Sequence, residues 1–149
     1  MACRRMGWLP AGLLFVFFGA GVFGPALAAQ VGTDPRGLAV TPATALPGDT
    51  VVWSIVGPPG ATAVLAWSRA GGGASFQGVL LALGPDFQIM VASPISAQGR
   101  LDFALRVPDT VPTGQYFFQA ATFQGDQVTL SNGVRVTVQP LPAPRGRFY

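Results

Sequence analysis

Between residues 38 and 138, apolar and polar residues alternate, and Pro, Gly and Asp separate the alternating segments. The clearest segment, residues 100–107, places four apolar side chains on one predicted core face: Leu101, Phe103, Leu105 and Val107. A period of two residues is typical of a β-strand with one buried face. No segment repeats apolar residues at the three-to-four spacing of an amphipathic helix. The pattern therefore predicts an all-β domain.

The alternating segments predict seven or eight short strands: 38–42, 50–57, 61–68, 75–83, 87–91, 100–107, 115–123 and 128–138. Residues 115–123 are apolar on both faces, which predicts a central strand. Asn132-Gly133 inside the last segment allows a hairpin turn or a bulge, and we favour the bulge because a hairpin would leave two very short strands. This spacing predicts an antiparallel, immunoglobulin-like β-sandwich, with a small β-barrel as the alternative.

Three motifs carry a resemblance to known modules: PGDTV at 47–51, GQY at 114–116 and SNGVRVTV at 131–138. They resemble turns and the last strand of short bacterial secreted modules with immunoglobulin-like or fibronectin-III-like folds, many of them from uncharacterised surface proteins. The resemblance covers most of residues 37–138, although the paired cysteines of antibody domains are absent. It implies a sandwich architecture and an extracellular, non-catalytic role, and it assigns no binding residues.

The first 28 residues have the features of a secretory signal peptide. Two arginines precede a long uncharged apolar run, and segment 26–28 (ALA) has the small-x-small pattern that signal peptidase requires. Cleavage is expected after Ala28, or alternatively after Ala29. The uncharged run 6–29 is also long enough to remain as a membrane anchor. We expect a secreted protein, or one displayed on the cell-envelope surface, with membrane contact only through an uncleaved signal segment.

Removal of the signal peptide makes the predicted domain nearly neutral. The chain has nine basic residues, all Arg, and six acidic residues, all Asp; without Arg4 and Arg5, seven Arg face six Asp, which leaves +1. This balance argues against nucleic acid as a partner. The single cysteine, Cys3, lies in the signal peptide, so the domain has no disulfide framework. Its low charge also means weak self-repulsion, which favours association between copies.

The absence of His, Lys and Glu excludes several kinds of chemistry. No side chain is present that usually activates a serine nucleophile, and no imidazole is available for a zinc or copper site. A hydrolase based on two Asp would need both carboxylates to converge in a cleft. Five of the six Asp follow turn-like sequences, and Asp102 lies on an outward strand face. We therefore expect no catalysis and no cofactor, with an Asp-based hydrolase as the third hypothesis.

Calcium is the one metal that the composition permits, because it prefers oxygen ligands. There are two candidate places: Asp126 with Asn132, or Asp109 with the carbonyls of its predicted turn. Their spacing does not match a known calcium loop. The sequence therefore predicts no dedicated metal site.

Three aromatic residues, Trp53, Trp67 and Tyr116, could form a stacking platform of the kind that carbohydrate-binding sandwiches use. All three lie on apolar strands, which favours core packing. The alternative to a structural or protein-binding module is therefore a carbohydrate-binding module with a polysaccharide partner. The burial of the tryptophans discriminates between the two.

The predicted sandwich, 38–138, lies between a polar lead-in, 29–37, and a Pro-rich tail, 139–149. We expect the tail to be extended and to lie outside the core. Its candidate partner contacts are two basic and two aromatic residues: Arg145, Arg147, Phe148 and Tyr149. Such an arm fits docking on a neighbouring subunit. The function predicted from sequence is thus a secreted or surface-displayed structural or binding module that is able to associate with itself.

Overall fold

The computed structural model describes residues 30–146, apart from the side chain of Gln30. The predicted signal peptide and residues 147–149 lie outside the described residues. The described chain forms eleven strands: β1 (Gln30–Asp34), β2 (Leu38–Thr41), β3 (Thr44–Ala45), β4 (Thr50–Val56), β5 (Thr62–Ser68), β6 (Ser75–Phe76), β7 (Val79–Leu80), β8 (Gln88–Pro94), β9 (Arg100–Arg106), β10 (Gly114–Gln124) and β11 (Gln127–Val138). Residues 30–146 include no helix that could cross a membrane.

The strands form a β-sandwich, as the alternation predicted. The larger sheet has the order β1-β11-β10-β5-β8, with β3 also beside β11, and the smaller sheet has the order β2-β4-β9. These are separate sheets and not the closed barrel kept as the alternative. Most strand pairs are antiparallel, but β1 and β3 run parallel to β11. The predicted central strand is correctly identified, because β10 lies between β5 and β11.

The core lies between the two sheets and includes one face of β4. The side chains of Val51, Trp53 and Ile55 are all buried, and they pack with Leu65 and Phe118 of the larger sheet. Alternate residues of a strand point to opposite faces, so these three reach the same core. Trp53 thus packs in the core, as its apolar strand favoured.

The polar lead-in includes a strand that the sequence did not predict. β1 pairs along its whole length with Gln127–Ser131 of β11. The turn that follows is held by two bonds to Asp34: its carbonyl accepts from the Gly37 N–H at 3.2 Å, and its Oδ1 accepts from the Arg36 N–H at 2.9 Å. The chain then crosses to the smaller sheet as β2. Pairing with β11 is long-range, and the local sequence carries no signal for it.

Residues 75–83 form a hairpin and not the single strand that was predicted. β6 and β7 pair through a two-residue turn in which Gln77 and Gly78 both have positive φ, 48° and 83°. Turns with two positive φ angles match the twist of paired strands but rarely contain Gln. We call residues 70–84, which include this hairpin, the arm.

The bulge favoured in β11 is confirmed. Gln119 pairs with Gly133, and Ala121 pairs with Leu130, so that two residues of β11 stand opposite Ala120. These two residues are Ser131 and Asn132, one more than the partner strand has at this point. A bulge changes which side chains of the strand face the core, and it therefore sets the contacts of these polar groups.

Candidate functional site

Tyr116 forms a hydrogen bond that is typical of immunoglobulin-like sandwiches. Its hydroxyl donates to the Pro112 carbonyl at 2.6 Å and accepts from the Arg69 Nη1 at 3.2 Å. The Arg69 guanidinium also lies over the Tyr116 ring, 4.6 Å from its centroid. A tyrosine at the start of this strand that bonds back to the preceding loop is known as a tyrosine corner. The motif at 114–116 thus has a structural role.

An aromatic pair joins the two sheets at the centre of the sandwich. Phe118 follows Tyr116 by two residues, the spacing at which antibody domains carry the second cysteine of their inter-sheet disulfide. Its ring centroid lies 4.9 Å from that of Trp53 on β4. The Trp53–Phe118 contact therefore occupies the place of a disulfide in this cysteine-free domain.

The three aromatic residues considered for sugar stacking do not form an exposed platform. Trp53 is 3% exposed and Tyr116 is 7% exposed. Trp67 is half-buried, and its ring packs 5.8 Å from that of Tyr116. Two of the three rings are therefore inaccessible to a ligand, and the third is a single partly exposed ring.

The structure does not bring the three calcium candidates together. The Asn132 side chain bonds both backbone groups of Leu38: its Oδ1 accepts from the N–H and its Nδ2 donates to the carbonyl, each at 3.0 Å. Asp109 lies in the loop before β10, and Asp126 lies in the turn after it. A strand of this length separates its ends by about 35 Å. Asp109 and Asp126 therefore lie far apart. Asp126 and Asn132, the pair considered from the sequence, are six residues apart, mostly along β11, which corresponds to about 20 Å and is too far for one ion.

Several acidic residues bond to backbone in turns. Asp49 Oδ2 accepts from the Leu46 N–H at 2.8 Å, and Asp86 Oδ2 accepts from the Arg69 N–H at 3.3 Å. Among residues 30–146, no group of three or more His, Cys, Asp or Glu is close enough to hold a metal. Asp49 thus has the turn-stabilising role that its sequence context suggests, whereas Asp86 joins its turn to the residue that follows β5.

Hydrogen bonds near the bulge hold the arm against the outer face of the larger sheet. Gln119 is 8% exposed; its Oε1 accepts from the Ala82 N–H at 2.8 Å, and its Nε2 donates to the Ser131 carbonyl at 2.7 Å. Gly133 permits this approach, because a Cβ there would lie 2.4 Å from that of Ala82. The sequence analysis missed Gln119; a polar residue inside an otherwise apolar central strand was the available signal.

A shallow groove lies where the arm meets the sheet. Its lining residues come from the arm, β10 and β11: Gly71, Ala82, Phe117, Gly133, Val134 and Arg135. Arg135 is exposed and pairs across the strands with Phe117. The groove thus offers one cation and one aromatic ring but no carboxylate, so it lacks the paired acids that hydrolysis would need.

The smaller sheet leaves part of the core uncovered beside β9. Leu101, Phe103 and Leu105 pair with the buried β4 residues and face the core, as predicted. However, Leu101 and Phe103 are only half-buried, and Leu105 is 39% exposed, so facing the core does not bury these three side chains fully. No described strand lies beyond β9 to cover them. We call this surface, formed by Leu101, Phe103 and Leu105, the open side.

Polar residues on the outer face of the same strands form a small charged cluster. Asp102 Oδ1 accepts from the Ser54 hydroxyl at 2.6 Å and from the Arg100 Nε at 2.9 Å. The Ser54 hydrogen bond, followed by that of Arg100, holds the pKa of Asp102 below its ordinary value of 3.8. The cluster therefore keeps Asp102 charged in mildly acidic solution.

Carboxyl titration by NMR should give a midpoint for Asp102 below pH 3.8, and Ser54→Ala should raise it. Because the folded-state pKa is lowered, the contribution of Asp102 to stability is present above pH 3.8 and is lost as the pH falls through the folded-state pKa. Thr41→Ala, on the neighbouring strand β2, is the control and should leave the midpoint unchanged. An unchanged midpoint in Ser54→Ala would contradict the assigned cause.

The described part of the tail, residues 139–146, has no regular secondary structure and is exposed. It leaves β11 beside β3, where the Gln139 N–H donates to the Ala45 carbonyl at 2.9 Å. Arg145 is exposed, while Arg147, Phe148 and Tyr149 lie outside the described residues. The role of these four residues in partner contact stays a prediction.

No protein-family model matches the sequence, and no curated protein matches it. Several solved structures are similar in fold, among them the following three. The sulfur carrier protein SoxY from Chlorobium limicola f thiosulfatophilum is 13% identical, with a TM-score of 0.42, and the match covers 87% of this chain and 98% of that chain. An uncharacterized protein from Bacillus anthracis str. Ames is 11% identical, with a TM-score of 0.37, and the match covers 93% of this chain and 98% of that chain. The PKD domain of human KIAA0319 is 16% identical, with a TM-score of 0.37, and the match covers 84% of this chain and 97% of that chain. At these TM-scores the similarities carry no argument about function.

Proposed function

We propose that this chain is a non-catalytic structural or binding module that works outside the cytoplasm and contacts another protein through its open side. The observation that carries the proposal is the partial exposure of three core-facing side chains on β9. A sandwich normally buries such side chains between its sheets, and a contiguous exposed apolar surface is typical of an interaction site.

The features of the N-terminal segment support delivery out of the cytoplasm. Residues 1–28 have the charge, apolar run and cleavage pattern of a secretory signal. The absence of cysteine from the rest of the chain is compatible with an oxidising compartment, since no free thiol is present to be oxidised. Both the location and the contact can be tested with introduced cysteines.

Two single-cysteine variants of the full chain, Leu105→Cys and Val56→Cys, each combined with Cys3→Ser to remove the native cysteine, test the proposal by labelling with a membrane-impermeant maleimide. Leu105 lies on the open side, and Val56, which is 50% exposed, lies at the end of β4. On intact cells, Val56→Cys should be labelled quickly and Leu105→Cys at least fivefold more slowly. In the purified protein at high dilution both should be labelled at similar rates, because the partner is then absent.

The control for processing is the intact mass, which should show loss of the signal peptide after Ala28 or Ala29. Circular dichroism of both variants checks that each is folded. Absence of labelling at Val56→Cys on intact cells would contradict the external location. Equal labelling of the two variants on cells would contradict engagement of the open side.

A further inference from the structure

The free edge of β9 presents a continuous set of unpaired backbone groups. Both backbone groups of Val107 point toward the chain that leads into β4. Its N–H donates to the Asp49 carbonyl and its carbonyl accepts from the Gly48 N–H, each at 2.8 Å. Backbone groups alternate in direction along an antiparallel strand. The N–H and carbonyl groups of Asp102, Ala104 and Arg106 therefore point away from β4, where no described strand lies.

The other three sheet edges are short or interrupted. β8 ends at Pro94, which has no N–H, and Met90 forms a bulge opposite the junction of Leu65 and Ala66. β1 has five residues and β2 has four. β9 has seven residues, with no Pro, Gly or bulge. Since bulges, prolines and short strands protect an edge from pairing, β9 is the edge best suited to accept another strand.

The side chains of β9 complement a second copy of the same strand. When two copies run antiparallel with Ala104 opposite Ala104, Asp102 of each copy stands opposite Arg106 of the other. On the core-facing side, Phe103 then stands opposite Leu105. The alternative registers lose these ion pairs. Centring the pair on Asp102 or on Arg106 places two like charges together, and centring it on Phe103 places Arg100 against Arg106. Centring it on Leu105 places Arg106 opposite Ala104, where it has no opposite charge.

The charges of β9 are arranged to make this contact selective. Asp102 already binds Arg100 through Oδ1, which leaves its Oδ2 for a further partner. Arg106 is exposed and forms no ion pair within the described residues. Charged side chains on an edge oppose pairing with an arbitrary strand, whereas a strand of matching charge order is accepted.

We propose that two copies of this chain pair through β9 about a two-fold axis at Ala104, joining their smaller sheets into one six-stranded sheet. The backbone groups of Asp102, Ala104 and Arg106 then find partners in both copies, and the added strand lies beside the open side. The inference rests on the proposed function, since it identifies the protein that covers the open side as a second copy. The low total charge of the domain favours such an association.

Ala104→Cys in a full chain that also carries Cys3→Ser tests the register, because paired residues in an antiparallel ladder have Cα atoms about 5.5 Å apart, within reach of a disulfide. Mild oxidation of purified Ala104→Cys should convert most of the protein to a reductant-sensitive dimer. The matched control is Val56→Cys, an exposed cysteine at the far end of the adjacent strand, which should remain monomeric. Ala104→Cys that remains monomeric under the same oxidation overturns the proposed pairing.

A charge exchange tests the same contact without a crosslink. Arg106→Asp should raise the dimer dissociation constant, measured by sedimentation, about tenfold or more, since two attractive pairs become repulsive. The double variant Asp102→Arg/Arg106→Asp restores opposite charges across the two-fold axis and should recover most of the affinity. Circular dichroism confirms the fold of each variant. A dimer insensitive to Arg106→Asp, or not rescued by the double variant, contradicts the proposal.

The two proposals fail in different ways. If the protein is monomeric at high concentration but Leu105→Cys is still protected on cells, β9 pairing is overturned while the open side keeps a different protein partner. If Leu105→Cys is labelled freely on cells, the proposed function itself is overturned.

Discussion

Trp53→Ala is expected to lower the free energy of unfolding by about 3–5 kcal/mol, a large part of the stability of an ordinary domain. Trp53 is 3% exposed and contacts both sheets, with ring centroids 4.9 Å from Phe118 and 5.9 Å from Phe103. Removal of the indole leaves a cavity between the sheets where antibody domains have a disulfide. Urea unfolding followed by far-UV circular dichroism measures the loss independently of tryptophan fluorescence.

Two further substitutions, Trp53→Phe and Trp67→Ala, show how much of the loss comes from the packing of the Trp53 ring. The buried Trp53 Nε1–H donates to no acceptor within residues 30–146, so Trp53→Phe removes an unpaired donor as well as ring volume. We expect a loss of less than about 2 kcal/mol for this variant, since burying an unpaired donor costs about 1–3 kcal/mol. Trp67→Ala, at a half-buried site, should cost less than Trp53→Ala. Equal losses at the two tryptophans would show that the Trp53–Phe118 contact is not the principal one.

Gln119→Leu is expected to destabilise the domain by about 2–4 kcal/mol and to loosen the arm. The substitution preserves size but leaves the Ala82 N–H and the Ser131 carbonyl without their partners. Unpaired polar groups in a buried site cost more than the added apolar contact returns. Urea unfolding measures the global effect, and hydrogen exchange at the Ala82 amide measures release of the arm.

Gln115→Leu is the matched control for Gln119→Leu. Both glutamines lie on β10 with side chains on the same face, but Gln115 is exposed. Its substitution should change the free energy of unfolding by less than about 0.5 kcal/mol and leave exchange at Ala82 unaltered. If Gln119→Leu behaves like this control, the bulge network does not hold the arm.

Local sequence was sufficient to predict features that depend only on the residues of a single strand or turn. The apolar strand around Trp53 favoured core packing of this residue, and apolar residues on both faces identified β10 as central. The Asn132-Gly133 bulge was also correctly favoured. In each case the information lies within a few residues, because strand period and turn chemistry are local properties.

Local sequence was insufficient where the outcome depends on distant partners. β1 forms because β11 offers a free edge. The arm folds back onto the sheet because Gln119 bonds the Ala82 N–H and because Gly133 leaves room for the Ala82 side chain. Asn132 was considered as a calcium ligand, yet its amide bonds Leu38, which is 94 residues away in the chain. Local sequence marks Gln119 as unusual in an apolar strand, but it does not identify the partner of any of these residues, because the partners depend on how the sheets are joined.

The sequence by itself determined that the chain is all-β, that its domain is nearly neutral and free of cysteine, and which side chains of β9 face inward. Only the tertiary structure decided that Leu101, Phe103 and Leu105 are left partly uncovered. The physical reason is that a period of two fixes the direction of each side chain, whereas its burial depends on the strand beyond it. In this domain the smaller sheet ends at β9, so the core residues nearest that edge remain open for a partner.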